Sequence, residues 1–252
     1  MLPLDQAGPT VQRFCVGRKY EREKKMIIIT GASKGIGQYL FNSFINEPNE
    51  DVLGIYLSTK PEQHLEHFIN LDVCDWQQVN EFITEKGSSL SDITLVNCAG
   101  ISYTSYTHKS DPEAWRKVIE TNLIGTYHFI RALLPLMREQ KFGRVINFSS
   151  VVAVKPTPGI SAYAASKSAL WGMAKSLAVE NASLNITINN INLGYSELGM
   201  ISTVPEEYKK KIIAEIPAGL LCEPQDILKT VQYLRDTRYI TGASLDLSGG
   251  LV

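Results

Sequence analysis

The chain has 252 residues, of which 44% are hydrophobic and 20% charged, with a formal net charge of −1 and a pI near 6.4. This is ordinary globular composition, and the near-neutral charge argues against a general nucleic-acid or anionic-membrane binder, which is typically basic. Four scattered cysteines without a CxxC pair favour free thiols in a reducing compartment over disulfides or a metal site. With no apolar run near the ~18 residues of a membrane span and no secretory signal, we expect a cytoplasmic protein.

Residues 1–25 carry two prolines, two glycines and a charge cluster, which predicts a flexible N-terminal extension. Residues 26–252 predict one domain in which apolar runs alternate with amphipathic segments. The predicted strands are 26–30, 52–57, 67–73, 93–100, 144–150, 186–193 and 244–250, and the predicted helices are 35–46, 115–140 and 160–178. This alternation, with β-branched strands, predicts a doubly wound α/β fold: a parallel sheet with helices on both faces.

The segment TGASKGIG, residues 30–37, follows the first strand and opens the first helix. Its glycines at 31, 35 and 37 permit a tight turn, a close backbone approach to a pyrophosphate, and close helix–strand packing. The helix N-terminus adds free N–H groups and a positive dipole end. The segment therefore predicts a dinucleotide site, and it lacks the GK[ST] ending of a P-loop.

The end of the second strand bears on the choice between NAD(H) and NADP(H). An acidic residue there would hold a free ribose 2′-hydroxyl, but the sequence reads Leu57, Ser58, Thr59 and Lys60. Together with Lys34 in the glycine-rich loop, these cations and hydroxyls suit a 2′-phosphate. We therefore expect NADP(H), although Lys60 alone is equally consistent with a solvated surface lysine.

Tyr163 and Lys167 lie four residues apart in a predicted helix, so they share one face. A phenol titrates near ~10 and is a poor base at neutral pH, whereas a nearby cation lowers its pKa. We therefore expect Lys167 to lower the pKa of Tyr163 and prepare it for proton exchange with an alcohol or carbonyl. The alanines between them leave room for a flat cofactor.

Two further groups belong at the carboxyl edge of the predicted sheet, where parallel α/β folds place reactive groups. Ser150 ends the strand 144–150, and its hydroxyl is placed to hold a substrate oxygen. The segment NCAG, residues 97–100, ends another strand, with a glycine that allows cofactor approach. Asn122 lies mid-helix, where an asparagine needs partners, and a water chain to Lys167 is one option.

These motifs, namely TGASKGIG, LDV, NCAG, Asn122, Ser150, YAASK and a terminal SGG, together resemble the short-chain dehydrogenase/reductase family from about residue 26 to 251. The resemblance implies a Rossmann fold and hydride transfer from a nicotinamide. Within the implied tetrad, Tyr163 is the acid/base and Ser150 orients the carbonyl; Lys167 binds the ribose and Asn122 anchors a relay water. The expected cofactor contacts are Gly31, Ser33, Lys34, Gly35, Ile36, Gly37, Ser58, Lys60, Asp72, Val73, Asn97, Ala99, Gly100, Tyr163, Lys167, Leu193, Gly194 and Tyr195.

The sequence departs from the family pattern after the sixth strand. Leu193 replaces the usual proline and Leu198 the usual threonine, residues that contact the nicotinamide carboxamide in the family. Backbone groups at Leu193 and Tyr195 are the expected substitutes. The stretch between the second strand and Asp72 is also short, so we expect only a turn or two of helix there.

The segment between Tyr195 and Cys222 resembles the lid of 3-oxoacyl-acyl-carrier-protein reductases, with a leucine in place of an arginine. Its Glu and Lys run favours a solvated helix face. Carrier-protein docking calls for basic residues near the cleft, for which Arg138, Lys141 and Arg144 are the weak candidates. The resemblance also implies a homo-oligomer, a dimer or a tetramer, built on the helices 115–140 and 160–178.

We therefore expect NADPH-dependent reduction of a ketone to a secondary alcohol, with a small-molecule or carrier-bound 3-oxoacyl thioester as the favoured substrate. Reduction or oxidation of a sugar or cyclic alcohol by the same tetrad is the alternative. The expected pocket residues do not decide between them, although their mostly apolar character favours acyl chains: Ile101, Val151, Val152, Thr157 and Tyr195. A non-catalytic dinucleotide-binding protein is disfavoured because all four reacting positions are intact. No metal, nucleic-acid or membrane partner is expected.

Overall fold

The computed structural model describes residues 25–199, 201 and 204–252. It contains one sheet whose strands are β1 (Lys25–Thr30), β2 (Glu50–Tyr56), β3 (Phe68–Asn70), β4 (Thr94–Asn97), β5 (Gly143–Ser150), β6 (Ile186–Leu193) and β7 (Ser244–Leu247). All neighbouring strands are parallel, in the order β3-β2-β1-β4-β5-β6-β7. The predicted Rossmann-type doubly wound sheet is confirmed. The N-terminal extension predicted for residues 1–25 lies outside the described residues, except for Lys25, which begins β1.

Helices cover both faces of the sheet. They are α1 (Gly35–Phe44), α2 (Trp76–Lys86), α3 (Pro112–Ile119), α4 (Gly125–Gln140), α5 (Ser161–Asn181), α6 (Glu206–Glu215) and α7 (Pro224–Asp236). The predicted long helix 115–140 is α3 and α4 joined by a π-helical turn, Glu120–Ile124, and π turns are frequent at functional sites. The short connection between β2 and β3 holds only a 3₁₀ turn, Leu65–His67, as expected.

The core lies in two apolar layers because successive strand side chains point to opposite faces of the sheet. In β1, Ile28 points to one layer, while Ile27 and Ile29 point to the other. The first layer packs against α2, α4 and α5 through Val79, Phe129, Leu133 and Ala174. The second packs against α1 and α7 through Leu40, Phe41, Ile227 and Val231. Continuous burial explains why the strands read as unbroken apolar runs.

The order of the strands defines where a ligand binds. The chain winds outward in one direction from β1 through β2 to β3, and in the other direction from β4 onward, so the topological switch lies between β1 and β4. Ligands of such folds bind outside the carboxyl ends of the strands at this point. Thr30, Asn97 and Ser150 end β1, β4 and β5 there.

The described residues show neither a membrane-spanning helix nor a cluster of metal ligands. None of the described helices is long and apolar enough to cross a membrane. The described part of the chain also has no group of three or more His, Cys, Asp or Glu side chains placed to hold a metal ion.

Candidate active site

The glycine-rich loop after β1 packs so closely that side chains are excluded. A Cβ on Gly31, whose φ is +65°, would lie 2.8 Å from the Ala99 Cα. A Cβ on Gly37 would lie 2.3 Å from the Gly31 carbonyl oxygen. Thr30 holds the loop after β4 from the other side, because its hydroxyl accepts a hydrogen bond from the Ala99 amide at 3.1 Å. The loops after β1 and β4 thus form one compact wall.

The N-terminus of α1 opens toward this wall. Its N-cap residue, Lys34, is extended and no side chain caps the helix, while the first turn carries no acidic residue. The first amides and the positive dipole end are therefore available to an anion. Ser33 is buried, and Lys34 is exposed beside it. These features fit the pyrophosphate of a dinucleotide.

The loop after β2 presents Ser58 and Lys60 to solvent. Asn70, at the end of β3, fixes the start of this loop, because its Nδ2 donates to the carbonyl oxygens of Leu57 at 2.8 Å and Tyr56 at 3.2 Å. Leu57 is 56% exposed, so the strand end presents neither an acid nor a buried side chain. Lys60 and Ser58 therefore lie in the loop where an acidic residue would otherwise bind the ribose 2′-hydroxyl.

The adenine end of the expected site contains Asp72 and Val73. Asp72 lies on the wall of a cavity of about 360 Å³, and its Oδ1 accepts a hydrogen bond from the Cys74 amide at 2.9 Å. Val73 is buried against α4, where a Cβ on Gly125 would lie 2.6 Å from its Cγ2. The Val73 carbonyl also interacts with His128 Nδ1 at 3.0 Å. Asp72 therefore lines an open space, whereas the Val73 side chain is occupied by packing.

Tyr163, Ser150 and Lys167 meet where β5 ends and α5 begins. The Ser150 side chain lies beside the Tyr163 phenol and lowers its pKa. The Lys167 ammonium lies 5.5 Å from the centroid of the Tyr163 ring and donates to the Phe148 carbonyl at 2.6 Å. One turn of α5 thus brings the expected acid/base and its cation to one face, as their spacing predicts.

Burial dominates the titration of both groups. It raises the pKa of Tyr163 above its ordinary value, and the Ser150 side chain offsets part of that rise. The expectation that Lys167 lowers the phenol's pKa stays a prediction, because burial and Ser150 are the influences on that pKa in the structure. Burial also lowers the pKa of Lys167 to about 8, against a weaker opposing influence of Cys98. The phenol consequently keeps its proton at neutral pH.

Asn122 sits in the π turn with its side chain fully engaged. Its Oδ1 accepts from the Ile101 amide at 2.8 Å, and its Nδ2 donates to the Ile101 carbonyl at 2.9 Å and to Ser166 Oγ at 3.0 Å. The Asn122 carbonyl accepts from the Thr126 hydroxyl at 2.9 Å. The side chain therefore clamps the loop after β4 to α5. Its expected role as anchor of a relay water stays a prediction.

Gly100 lies where the loop after β4 comes close to both Asn122 and Lys167. A Cβ placed there would lie 3.2 Å from Asn122 Oδ1 and 3.7 Å from Lys167 Nζ. Asn97 lies deeper, 4% exposed, and donates through Nδ2 to Asn147 Oδ1 at 2.9 Å. Its own Oδ1 has no partner among the described residues. A small residue at Gly100 therefore keeps a path open between the glycine-rich loop and Lys167.

The segment after β6 uses its backbone groups internally. The Gly194 amide donates to the Leu247 carbonyl at 2.9 Å, and the Tyr195 carbonyl accepts from the Cys222 amide at 2.9 Å. Leu193 is buried in the second apolar layer, where Leu198 also packs. The Tyr195 carbonyl, expected to serve the nicotinamide carboxamide, is thus already bonded to the lid.

The basic residues considered for carrier-protein docking do not border this cleft. Arg144 is 4% exposed at the amino end of β5, and its guanidinium donates to the carbonyls of Arg235 and Asn185. Arg138 donates to Asn181 Oδ1 at 2.6 Å, and Lys141 caps α4. At ~3.3 Å per strand residue, the start of β5 is roughly 20 Å from Ser150. The expectation that these side chains lie near the same chain's cleft is wrong.

The family model for short chain dehydrogenases matches residues 25–209. The chain belongs to the short-chain dehydrogenase family. It is therefore an oxidoreductase of a family whose cofactor is a nicotinamide dinucleotide. The assignment of the family's site to the glycine-rich loop, the groups around Gly100 and the Tyr163–Lys167 turn stays a prediction.

Three relatives within the wider family illustrate the range. The 3-oxoacyl-acyl-carrier-protein reductase FabG of Haemophilus influenzae is 33% identical over 237 residues, covering 90% of this chain and 98% of the relative. The acetoacetyl-CoA reductase of Rhizobium meliloti is 37% identical over 183 residues, 71% of this chain and 76% of the relative. The ligand-free aldohexose dehydrogenase AldT of Thermoplasma acidophilum superposes with a TM-score of 0.83 at 29% identity, covering 91% and 94% of the two chains.

Sequence reasoning missed part of this short-chain dehydrogenase's site. Ser166, which lies within the YAASK motif, and Asn70 make the contacts described above, yet neither was expected to contribute to the site. Ser149, which precedes the expected Ser150, donates to the Lys167 carbonyl at 3.0 Å. A search for polar residues at inward-facing strand positions would have found Ser149, because such side chains need partners when buried.

Proposed function

We propose that this short-chain dehydrogenase uses NADPH to reduce a ketone to a secondary alcohol, with a 3-oxoacyl thioester as the favoured substrate. The observation that carries the proposal is that Tyr163 and Lys167 share one face of α5, with Lys167 Nζ 5.5 Å from the centroid of the Tyr163 ring, beside Ser150 at the carboxyl end of β5. A protonated phenol next to a hydroxyl can bind and protonate one carbonyl oxygen. The glycine-rich loop lies at the same edge of the sheet, as hydride transfer to that carbonyl carbon requires.

The proposed roles follow from the positions of these groups. A bound NADPH supplies the hydride. Ser150 would hold the ketone oxygen, and Tyr163 would donate its proton to that oxygen, which becomes the hydroxyl of the alcohol and leaves a tyrosinate. Lys167 stabilises the tyrosinate as a neighbouring cation. Asn122 holds the surrounding loop and, through a relay water, helps to return a proton to Tyr163.

The choice of NADPH rests on the residues at the ribose end. Lys34 and Lys60 are both exposed, and no acidic residue follows β2 within residues 57–60. A 2′-phosphate gains charge-assisted hydrogen bonds from such cations, whereas a 2′-hydroxyl would gain most from a carboxylate. Asn70 supports this assignment because it holds the start of the loop in place.

The thioester preference rests on two observations. Ile101 and Val154, in the loops after β4 and β5, are 37% and 52% exposed, so the walls near Ser150 offer apolar surface to an acyl chain. The relatives named for reducing 3-oxoacyl-carrier-protein and acetoacetyl-CoA both cover more than two thirds of this chain. An acyl group on a small thioester or on a carrier protein is the substrate class that these features fit.

A sugar or cyclic alcohol is the second candidate, favoured by the loop that follows Ile101. This loop is rich in hydroxyls, and its Ser105 amide donates to the Gly159 carbonyl at 2.8 Å, which joins the two walls of the cleft. Polar walls suit a polyol, and the superposing Thermoplasma protein is named an aldohexose dehydrogenase.

We further propose that the protein is cytoplasmic and forms a homodimer or homotetramer.

A substrate panel separates the two candidates. The expected result is NADPH oxidation with an acetoacetyl thioester, with kcat/KM at least about tenfold above that for any sugar ketone or cyclic ketone. The reverse reaction on aldohexoses with NADP⁺ is measured in parallel. Faster turnover of an aldohexose would discard the thioester and keep the mechanism. NADPH binding without turnover across the panel would favour a non-catalytic protein.

Reversing the charge of Lys60 tests the cofactor assignment. For Lys60→Glu we expect the KM for NADPH to rise about tenfold or more, because a charged hydrogen bond contributes ~1.5–3 kcal/mol. The KM for NADH should change little. Lys86→Glu, an equal charge change at an exposed position at the end of α2, is the matched control. Equal losses with both cofactors, or no loss with NADPH, would contradict the assignment.

A further inference from the structure

Beneath α5 the sheet presents polar side chains where apolar ones are usual. The first row crosses four strands in register: Asn97 pairs with Asn147, Asn147 with Asn190, and Asn190 with Ser244. Each amide donates to the next residue, over 2.9, 3.1 and 3.0 Å. Asn190 Nδ2 also lies 3.4 Å from the Leu170 carbonyl of α5. The row thus links the cofactor edge of the sheet to the helix above it.

A second polar row lies two residues further along the strands. Ser149 pairs with Asn192, and Asn192 with Asp246. The Trp171 indole of α5 reaches down to this row, donating to Ser149 Oγ at 3.1 Å and to Asn192 Oδ1 at 2.8 Å. Asn192 in turn donates to Asp246 Oδ1 at 2.7 Å. Ser149 and Asn192 are 4% and 1% exposed, so these hydrogen bonds are shielded from water.

The second row is hydrogen-bonded to the turn of α5 that contains Lys167. Ser149 Oγ donates to the Lys167 carbonyl at 3.0 Å, and Trp171 follows Lys167 by four residues. The two ends of this turn are therefore joined through one serine hydroxyl. Tyr163 lies on the same helix, one turn before Lys167.

The kind of contact matters for how firmly α5 is held. Its buried residues in this region are small or polar apart from one leucine: Ala162, Ser166, Lys167, Leu170 and Ala174. Apolar packing is non-directional, so a face of small residues allows a helix to slide or rotate by fractions of an ångström. Hydrogen bonds require defined distances and angles. Directional contacts thus take over the alignment that larger apolar side chains would otherwise provide.

We propose that Ser149 and Trp171 are positioning residues, which fix the Lys167 turn of α5 and hence the placement of Tyr163 and Lys167 against Ser150. The proposal rests on the proposed reduction. Neither side chain touches the reacting atoms, so both act through α5. Loss of either should lower the rate of the chemical step and leave cofactor binding at the glycine-rich loop unchanged.

The test uses Ser149→Ala and Trp171→Phe in the full-length protein. Each is expected to lower kcat for ketone reduction about tenfold, because a small misplacement of reacting groups is costly in rate, with the KM for NADPH within about twofold of wild type. Amide hydrogen exchange of the cofactor-free protein should be faster in residues 161–172 and unchanged in α2. Trp76→Phe, which removes an indole on α2, is the control and should alter neither kcat nor the exchange rates of residues 161–172.

Each outcome is decisive. An unchanged kcat in both variants overturns the proposal, as does a loss in which kcat, the KM for NADPH and the melting temperature all worsen together. An inactive wild-type protein would instead refute the proposed function. The exchange data would then decide separately whether Ser149 and Trp171 hold this turn, with faster exchange confined to residues 161–172 supporting it and unchanged exchange overturning it.

Discussion

Tyr163→Phe is expected to lower kcat for ketone reduction by about 10³-fold, since a positioned general acid contributes roughly 10²–10⁴-fold. The substitution removes only the phenolic oxygen, which lies beside the Ser150 side chain. Burial raises the pKa of this phenol, so the proton is in place throughout the neutral range. Steady-state rates and NADPH titration by fluorescence measure the effect, and cofactor affinity should stay within a few-fold.

The matched control is Tyr39→Phe. Tyr39 lies on α1, where its hydroxyl donates to Gln225 Oε1 at 3.3 Å on the protein surface. This variant should retain wild-type kcat. A Tyr163→Phe enzyme with more than about a tenth of wild-type kcat would contradict the assignment of Tyr163 as the proton donor.

Lys167→Met is expected to lower kcat about 10²-fold or more and, at the same time, to stabilise the fold at neutral pH. Burial lowers the pKa of Lys167 from its ordinary value of 10.5 to about 8. Holding the ammonium in this site therefore destabilises the native state, by roughly 3–4 kcal/mol at ~1.4 kcal/mol per pKa unit. The lost hydrogen bond to the Phe148 carbonyl offsets part of the gain. We expect the melting temperature to rise by a few degrees.

The pH dependence of the free energy of unfolding shows whether the buried charge of Lys167 is the cause of the stability difference. Between about 8 and 10.5 the native chain binds fewer protons at Lys167 than the unfolded chain, so the wild-type free energy of unfolding rises with pH. The advantage of Lys167→Met should thus be full below about 8 and fade toward 10.5. Lys175→Met, at an exposed position two turns further along α5, should show neither effect. Lower stability of Lys167→Met at neutral pH would contradict the account.

Local patterns predicted much of the fold and the placement of several site residues. Gly37 is required by a contact with Gly31 within a single loop, and the spacing of Tyr163 and Lys167 is a property of one helix. The strand cores were readable because both faces of the sheet are buried. By contrast, α2 was not predicted, although Asp75 caps it by accepting from the Gln78 amide at 3.1 Å. Its apolar residues are too few to give a strong period.

What sequence could not supply depends on contacts between distant segments. The pKa of Tyr163 depends on how deeply α5 is buried, which the spacing of Lys167 does not reveal. The contacts of the Asn122 amide group with Ile101 and Ser166 join segments that are far apart in the sequence, so the sequence pattern does not reveal them. The sequence alone suggests that Arg144 is a surface cation. In the structure its side chain is buried, and its guanidinium donates to the backbone carbonyls of Arg235 and Asn185.

The most direct test of the central claim is isotope transfer. NADPH deuterated at nicotinamide C4, prepared separately in each of its two stereochemical forms, is incubated with an acetoacetyl thioester and the product is analysed by mass spectrometry. The account predicts that one form places a single deuterium on the former ketone carbon, and that Tyr163→Phe gives about 10³-fold less labelled alcohol under initial-rate conditions. An unlabelled product from both forms, or equal labelling by wild type and Tyr163→Phe, would contradict it.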